Sequence, residues 1–163
     1  MVNYEPMSEA DEAIIAEQLG RQPRGIAGIA WRCPCGKPGV IVTYPRLDDG
    51  TPFPTIFYLT HPSAVTACSR LEASGIMTEL TQRVQTDPDL AAAYRKAHEA
   101  YLAARRELGD DSVFGDFSAG GMPDRVKCLH ALVGHALAAG PGVNPIGDEM
   151  LAVMGDFWSD CCQ

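Results

Sequence analysis

The stretch GIAGIAWRCPCGKPGVIVTYPRLDDGTPFPTIFYLT, residues 25–60, decides the fold. Three runs rich in Ile, Val, Tyr and Phe, at residues 25–32, 40–44 and 55–60, are separated by segments rich in Gly and Pro. This alternation is typical of short β-strands joined by turns. Because neither connection is long enough for a parallel crossover, the sequence predicts an antiparallel meander of three strands.

Outside this stretch the sequence predicts helices. Ser8 with Asp11 three positions later is typical of a helix N-cap and predicts an acidic helix over residues 8–19, which ends at Gly20. Asp87 and Pro88 form a second start signal, with Pro at the first helical position. The further helices are predicted over residues 63–74, 76–86, 88–108 and 123–139, and from about residue 147 to 158.

The segment over residues 123–139 is apolar on nearly every side, which predicts a central, buried helix. We therefore expect an α+β fold, in which a small antiparallel three-stranded meander packs against four to six helices. Residues 1–163 are expected to form a single domain, with the acidic N-terminal helix at one end and a short tail over residues 156–163.

The composition and charge of the chain limit the classes of function that it can have. The 163 residues are 46% hydrophobic and 21% charged, which suits a globular domain with a proper core. The net charge is −8, and acids without Lys or Arg occupy both residues 1–17 and residues 148–163. This balance argues against a protein that binds nucleic acid through attraction to phosphate. The acidic start lacks the features of a secretory signal, and no apolar run is long enough to cross a membrane.

We expect a cytoplasmic protein, in which thiols stay reduced, so its six cysteines need an explanation other than structural disulfides. In the meander, Cys33, Cys35 and His61 are predicted to lie at the same end of the sheet, with Cys33 pointing inward. Thiolate and imidazole are typical zinc ligands. Cys128, on the predicted central helix, is a further ligand in this hypothesis, with Cys35 or a tail cysteine as the fourth. Turn residues with incidental thiols are the plain alternative.

Two histidines, His130 and His135, lie close to Cys128 in the sequence. In a regular helix Cys128 and His130 are about 200° apart around the axis, so they are not expected to share a site. His135 shares the face of Cys128 but lies about 10.5 Å further along the axis, too far for one ion. We therefore interpret His130 as a core histidine, and His98, on a helix rich in charge, as a surface residue. The tail cysteines Cys161 and Cys162 follow an aromatic pair that can dock the tail onto the body.

A second candidate site is anionic. The sequence GGMPDR precedes the predicted central helix, with Gly121 at its entry and Arg125 and Lys127 in its first turns. Free backbone N–H groups, the positive end of the helix dipole and two bases can hold phosphate or carboxylate. The glycine spacing of a nucleotide P-loop is absent. Asp124 as an internal cap with a purely structural role is the alternative.

Several segments together resemble a known family. They are QLGRQPRG, RCPCGKP, DGTPFPTIFYLT, SRLEASG, DPDLAAAYRKAHEAYL and SAGGMPDRVKCLHALVGHALAAGPGVNPIGDE. Over residues 18–155 the chain is similar to the bacterial, mainly actinobacterial, family called domain of unknown function 501. The resemblance implies a small cytoplasmic bacterial protein and brings no established activity. Family members often have Cys in LTCP where this chain has His61 in LTHP, an exchange that suits zinc better than an iron–sulfur cluster.

Three functional hypotheses follow. The first is a zinc-binding structural or regulatory protein, with Cys33, Cys35, His61 and Cys128 as ligands and an iron–sulfur cluster as the alternative cofactor. The second is an enzyme for a small anionic, phosphorylated substrate held at Gly121, Arg125 and Lys127. The third is an interaction module that meets a protein partner through its acidic ends and Phe157-Trp158.

Overall fold

The computed structural model describes residues 2–160, and it has the predicted α+β fold. The meander is antiparallel, with strands adjacent in chain order: β1 (Ile26–Arg32), β2 (Pro38–Thr43) and β3 (Phe57–Leu59). Trp31 pairs with Val40, and Val40 pairs with Leu59. The last residues of β1 and β3 therefore lie at the same end of the sheet, as predicted. Cys33 and His61 follow these strands at that end.

Six α-helices lie within residues 2–160, in agreement with the expected four to six. They are α1 (Glu9–Leu19), α2 (Pro62–Ala73), α3 (Ile76–Thr86), α4 (Pro88–Leu108), α5 (Leu129–Ala139) and α6 (Pro145–Met154). Their starts follow local signals: Ser8 and Asp11 form a reciprocal capping box on α1, and Asp87 caps α4 with Pro88 in the first turn. Gly20 ends α1 in the left-handed conformation.

α5 is the central helix, and most of its residues are buried. It packs against α6, β3 and α2. Two glycines allow this close approach: a Cβ on Gly134 would lie 2.8 Å from the carbonyl oxygen of Phe57, and a Cβ on Gly147 would lie 2.3 Å from that of Leu132. Because α5 is held between the sheet and α6, the position of its first turn against α2 is well defined.

The start of α5 corrects the prediction. The helix was expected from Pro123, but it begins at Leu129, and the preceding residues form a loop. The backbone groups of this loop bond to other elements: the Tyr94 hydroxyl donates to the Arg125 carbonyl (2.8 Å), and the Val126 N–H donates to Thr81 Oγ1 (3.0 Å). These tertiary bonds replace the helical ones, so the loop is stable without a helix.

Candidate metal centre

The junction between α2 and α5 brings three potential metal ligands together. A carboxylate oxygen of Glu72, the Sγ of Cys128 and a ring nitrogen of His130 all lie within 4.8 Å of one another. Within residues 2–160 this is the one group of three or more Cys, His, Asp or Glu side chains that meets so closely. We call these three residues the junction cluster.

Cys128 joins the cluster because it precedes the helix. Its backbone is extended (φ −148°, ψ 108°) at the N-cap position of α5. The angular spacing of a regular helix therefore does not apply between Cys128 and His130. The prediction that these two residues lie on opposite sides was wrong, since it assumed a helix that already included Cys128. His130 is half-buried at the cluster, and the core position predicted for it is not observed.

Glu72 is fixed by the start of α5. Its Oε2 accepts a hydrogen bond from the Leu129 N–H (2.9 Å), one of the N–H groups that lack a partner within the helix. A carboxylate at this position also interacts favourably with the helix dipole. The two oxygens of Glu72 lie 3.1 and 3.2 Å from His130 Nδ1. Glu72 therefore links the helix start to the imidazole.

The protonation of His130 reflects its neighbours. A hydrogen bond with Cys128 and the carboxylate of Glu72 raise the pKa of His130, against the opposing effect of burial. The Nε2 of His130 lies 3.3 Å from Ser69 Oγ. The side chains of His130 and Glu72 are 29% and 23% exposed, so an ion from solvent can reach them.

Cys68 lies on α2 one turn before Glu72, but it is fully buried. Burial raises the pKa of Cys68 to about 12, and the nearby Glu72 and Cys128 add to this effect. Its Sγ is not among the ligand atoms that converge within 4.8 Å, so Cys68 is not part of the junction cluster. Cys128 is the thiol of this region that can serve the cluster.

A pocket of about 490 Å³ opens beside the junction cluster. Cys128 and His130 line one part of it, and β3, the end of α1 and Val65 of α2 form the rest. No Lys or Arg is among its lining residues. A ligand in this pocket would therefore be close to the cluster without a positive side chain around it.

The sheet end, which comprises Cys33, Cys35 and His61, is built differently. Cys33 is buried and Cys35 is exposed, in agreement with the expectation that Cys33 points inward. Within residues 2–160, no group of three or more closely spaced metal-ligand atoms contains Cys33, Cys35 or His61. Their joint role as zinc ligands with Cys128 stays a prediction, and the structure places Cys128 in another cluster.

His61 has a structural role. Its Nδ1 accepts a hydrogen bond from the Ala64 N–H (3.3 Å) and caps α2. The neutral ring therefore carries its proton at Nε2, a buried atom that has no hydrogen-bond partner within residues 2–160. The ring packs against Trp31 (centroids 5.9 Å apart) and Phe157 (5.3 Å), and burial lowers the pKa of His61.

The predicted anion site loses the helix on which it was based. Gly121, Arg125 and Lys127 lie in the loop before α5, and both basic side chains are exposed. The Gly120 carbonyl accepts a hydrogen bond from the Lys127 N–H (2.7 Å), and the Gly121 carbonyl accepts one from the Arg125 N–H (2.9 Å). Anion binding here stays a prediction that would depend on the exposed side chains alone.

Other expectations have mixed outcomes. Phe157 does dock the tail onto Trp31, whereas Cys161 and Cys162 lie outside the described residues. His98 was predicted at the surface but is buried, with Nδ1 2.7 Å from Ser118 Oγ.

Sequence reasoning missed Glu72, and the local signal for it is weak: a carboxylate four residues after Cys68 on one helix face.

Comparison with known proteins identifies the family to which the chain belongs. The model of the family described as "Protein of unknown function (DUF501)" matches residues 29–152, which is most of the chain. No curated protein matches the chain, and no solved structure does. Across residues 2–160 no helix combines the length and the apolar character needed to span a bilayer.

Proposed function

We propose that this chain, which belongs to the DUF501 family, binds zinc through Glu72, Cys128 and His130. One observation carries the proposal: an oxygen, a sulfur and a nitrogen atom converge within 4.8 Å at a place that solvent can reach. Carboxylate, thiolate and imidazole are the ligands that zinc uses in proteins. A single thiolate favours zinc over an iron–sulfur cluster, because clusters are usually held by several thiolates.

Metal-free and metal-bound states differ in protonation. His130 Nδ1 and Glu72 share a hydrogen bond, and the Sγ of Cys128 lies within 4.8 Å of a ligand atom of each. Zinc binds deprotonated ligands, so it would replace the protons of this network. The short distances between the three side chains mean that little rearrangement is needed.

The number of ligands bears on the kind of site. Structural zinc sites are usually closed by four protein ligands, whereas catalytic sites have three and keep a position for water or substrate. The junction cluster supplies three, and the pocket lies beside Cys128 and His130. This supports an open site, with a role in catalysis or sensing rather than in holding the fold together.

Zinc uptake by variants tests the proposal. Metal content is measured by plasma mass spectrometry on tag-free protein, and affinity by competition with a chelating dye. We expect one zinc per chain, bound more than about 100-fold more weakly by Cys128→Ser and His130→Ala, because changes outside the ligands already cost up to that much. Cys35→Ser and Glu79→Gln, exposed residues of the same types, serve as controls. Unchanged binding by Cys128→Ser would refute the proposal.

A thiol nucleophile is a second candidate at the same cluster. One observation favours it: Glu72 binds His130 Nδ1, and the Sγ of Cys128 lies within 4.8 Å of a nitrogen of the same ring. A base that is oriented by a carboxylate is the arrangement that activates a cysteine. In this case metal-free protein would carry a Cys128 that iodoacetamide alkylates faster than Cys35, and His130→Ala would remove the difference. Protection of Cys128 by one equivalent of zinc would favour the metal site instead.

A further inference from the structure

A second pocket, of about 370 Å³, lies between α4 and the end of α5. Five alanines of these two helices form much of its wall: Ala100, Ala103, Ala104, Ala138 and Ala139. We call it the alanine pocket. Small side chains leave space but do not by themselves indicate a ligand. The feature that does so is His135, which lines the same pocket although it is only 2% exposed.

The fold fixes the proton of His135 on one ring nitrogen. The side-chain oxygen of Asn144 accepts the Gly147 N–H (2.9 Å) and caps α6, so the NH2 group of Asn144 faces Nδ1 of His135 (3.1 Å). An amide NH2 group only donates, hence Nδ1 is the acceptor and the neutral ring carries its proton on Nε2. Burial lowers the pKa of His135 to about 4, which keeps the ring neutral at pH 7. His135 therefore offers one hydrogen-bond donor, its Nε2–H.

This donor has no partner, yet it can be reached. Within residues 2–160 neither Nε2 of His61 nor Nε2 of His135 makes a hydrogen bond, but only the former is sealed from solvent. The Phe57 ring stacks parallel to His135 (6°, centroids 5.6 Å apart), and Tyr101 packs edge-on against it (5.1 Å). The small accessible part of His135 thus includes Nε2, and the alanine pocket is the space that His135 lines. An acceptor in the pocket would supply the missing partner.

The other groups at the alanine pocket narrow the class of ligand. No Lys or Arg is among the described residues that line it, and Glu107 contributes a carboxylate, which accepts the Val2 N–H (2.9 Å). Both features disfavour an anion. The oxygen of a neutral carbonyl group only accepts, and it matches the single donor of a neutral imidazole. The volume of about 370 Å³ is within the range of small-molecule sites.

We propose that the alanine pocket binds a small uncharged carbonyl compound. Its oxygen accepts the hydrogen bond of His135 Nε2–H, and its apolar body lies against the alanines and Phe57. None of the residues of the junction cluster lines this pocket. It is therefore a second site, and binding there does not depend on zinc.

The test uses cyclohexanone as the probe and cyclohexanecarboxylate as its anionic analogue, with zinc-free, ¹⁵N-labelled full-length protein. A long-range ¹H–¹⁵N NMR spectrum reports both ring nitrogens of His135. At pH 7 we expect a protonated Nε2 beside an unprotonated Nδ1. Cyclohexanone should shift the Nε2 signal with a Kd of about 1 mM, in keeping with its few heavy atoms. Cyclohexanecarboxylate should bind at least about tenfold more weakly, because it brings a second negative charge close to Glu107.

Two variants of α4 locate the ligand without a change at His135. Ala100→Leu fills part of the pocket and should weaken cyclohexanone binding at least about tenfold, because the added carbons take the space of the ligand. Ala92→Leu, at an exposed position of the same helix outside the pocket, is the matched control and should leave the affinity unchanged. Equal affinities in the two variants would overturn the proposal. So would a protonated Nδ1, or an Nε2 signal that cyclohexanone does not shift.

The metal site and the alanine pocket fail separately. Zinc-loaded and zinc-free protein should bind cyclohexanone equally well, and His130→Ala should bind it like the wild-type chain. Zinc uptake without a shift at His135 would overturn the pocket and leave the metal site intact. Loss of cyclohexanone binding in His130→Ala would locate the ligand at the junction cluster and overturn the assignment to the alanine pocket.

Discussion

The sheet end and the junction cluster both combine cysteine with histidine, yet within residues 2–160 only the junction brings three ligand atoms within 4.8 Å of one another. At the sheet end, His61 is fully buried, and its Nδ1 caps α2. At the junction, His130 is 29% exposed and faces a thiol and a carboxylate. The comparison teaches that residue type alone does not make a metal site: the donor atoms must converge, and solvent must be able to reach them.

The sheet end and the junction cluster also differ in what surrounds them. The sheet end is covered by the Trp31 and Phe157 rings, and Arg32 beside it forms an ion pair with Asp11 of α1 (2.8 Å). These contacts stabilise the fold. The junction cluster instead adjoins a pocket of about 490 Å³. Substitutions at the two regions should therefore separate stability from ligand binding.

The largest effect on stability is expected from His61→Ala. Removal of a buried ring leaves a cavity and also removes the cap of α2, which together should lower the free energy of unfolding by about 3 kcal/mol. Zinc affinity should not change, because His61 is not part of the junction cluster. Urea denaturation and a chelator competition measure the two quantities. Loss of zinc from folded His61→Ala would break the distinction between the regions.

A smaller effect is expected from acid. Because burial lowers the pKa of His61 below its ordinary value of 6.5, the unfolded chain binds a proton more readily than the folded one. The neutral His61 therefore supports the fold above pH 6.5, and this support is lost as the pH falls below that value towards its pKa in the folded protein.

The variant that isolates this effect is His61→Asn, since Asn is also a good N-cap. Urea denaturation between pH 7.5 and pH 5 should show a smaller loss of stability for His61→Asn than for the wild-type chain. Parallel curves for the two proteins would show that His61 does not contribute to the pH dependence.

The smallest effect is expected from Thr60→Val, and it has the opposite sign. Because the buried hydroxyl has no partner, its replacement by a methyl group should raise the stability of the ligand-free protein by about 1 kcal/mol. A variant that is destabilised in thermal unfolding would indicate that the hydroxyl already has a partner in solution.

Local signals explain why the fold could be predicted. The alternation of apolar runs with Gly and Pro, the capping pair Ser8 and Asp11, and the Asp87-Pro88 start each depend on neighbours a few residues apart. The predicted bounds of α3 agree with the structure, and those of α2 agree within one residue. Each of these features depends on backbone geometry that short stretches of sequence determine.

The site could be predicted only in part, because it depends on contacts between distant segments. Cys128 was identified, but its partner Glu72 lies 56 residues earlier, on another helix. The loop before Leu129 is held by Thr81 and Tyr94, which no local pattern links to it. For this reason, the prediction from helical spacing that Cys128 and His130 do not share a site was wrong.

The most direct test of the central claim is the X-ray absorption spectrum at the zinc edge of protein loaded with one equivalent of zinc. Our account predicts one sulfur neighbour at about 2.3 Å and two or three nitrogen or oxygen neighbours at about 2.0–2.1 Å. Two or more sulfur neighbours would contradict it, because the junction cluster contains the single thiol of Cys128 and the sheet end contains two more.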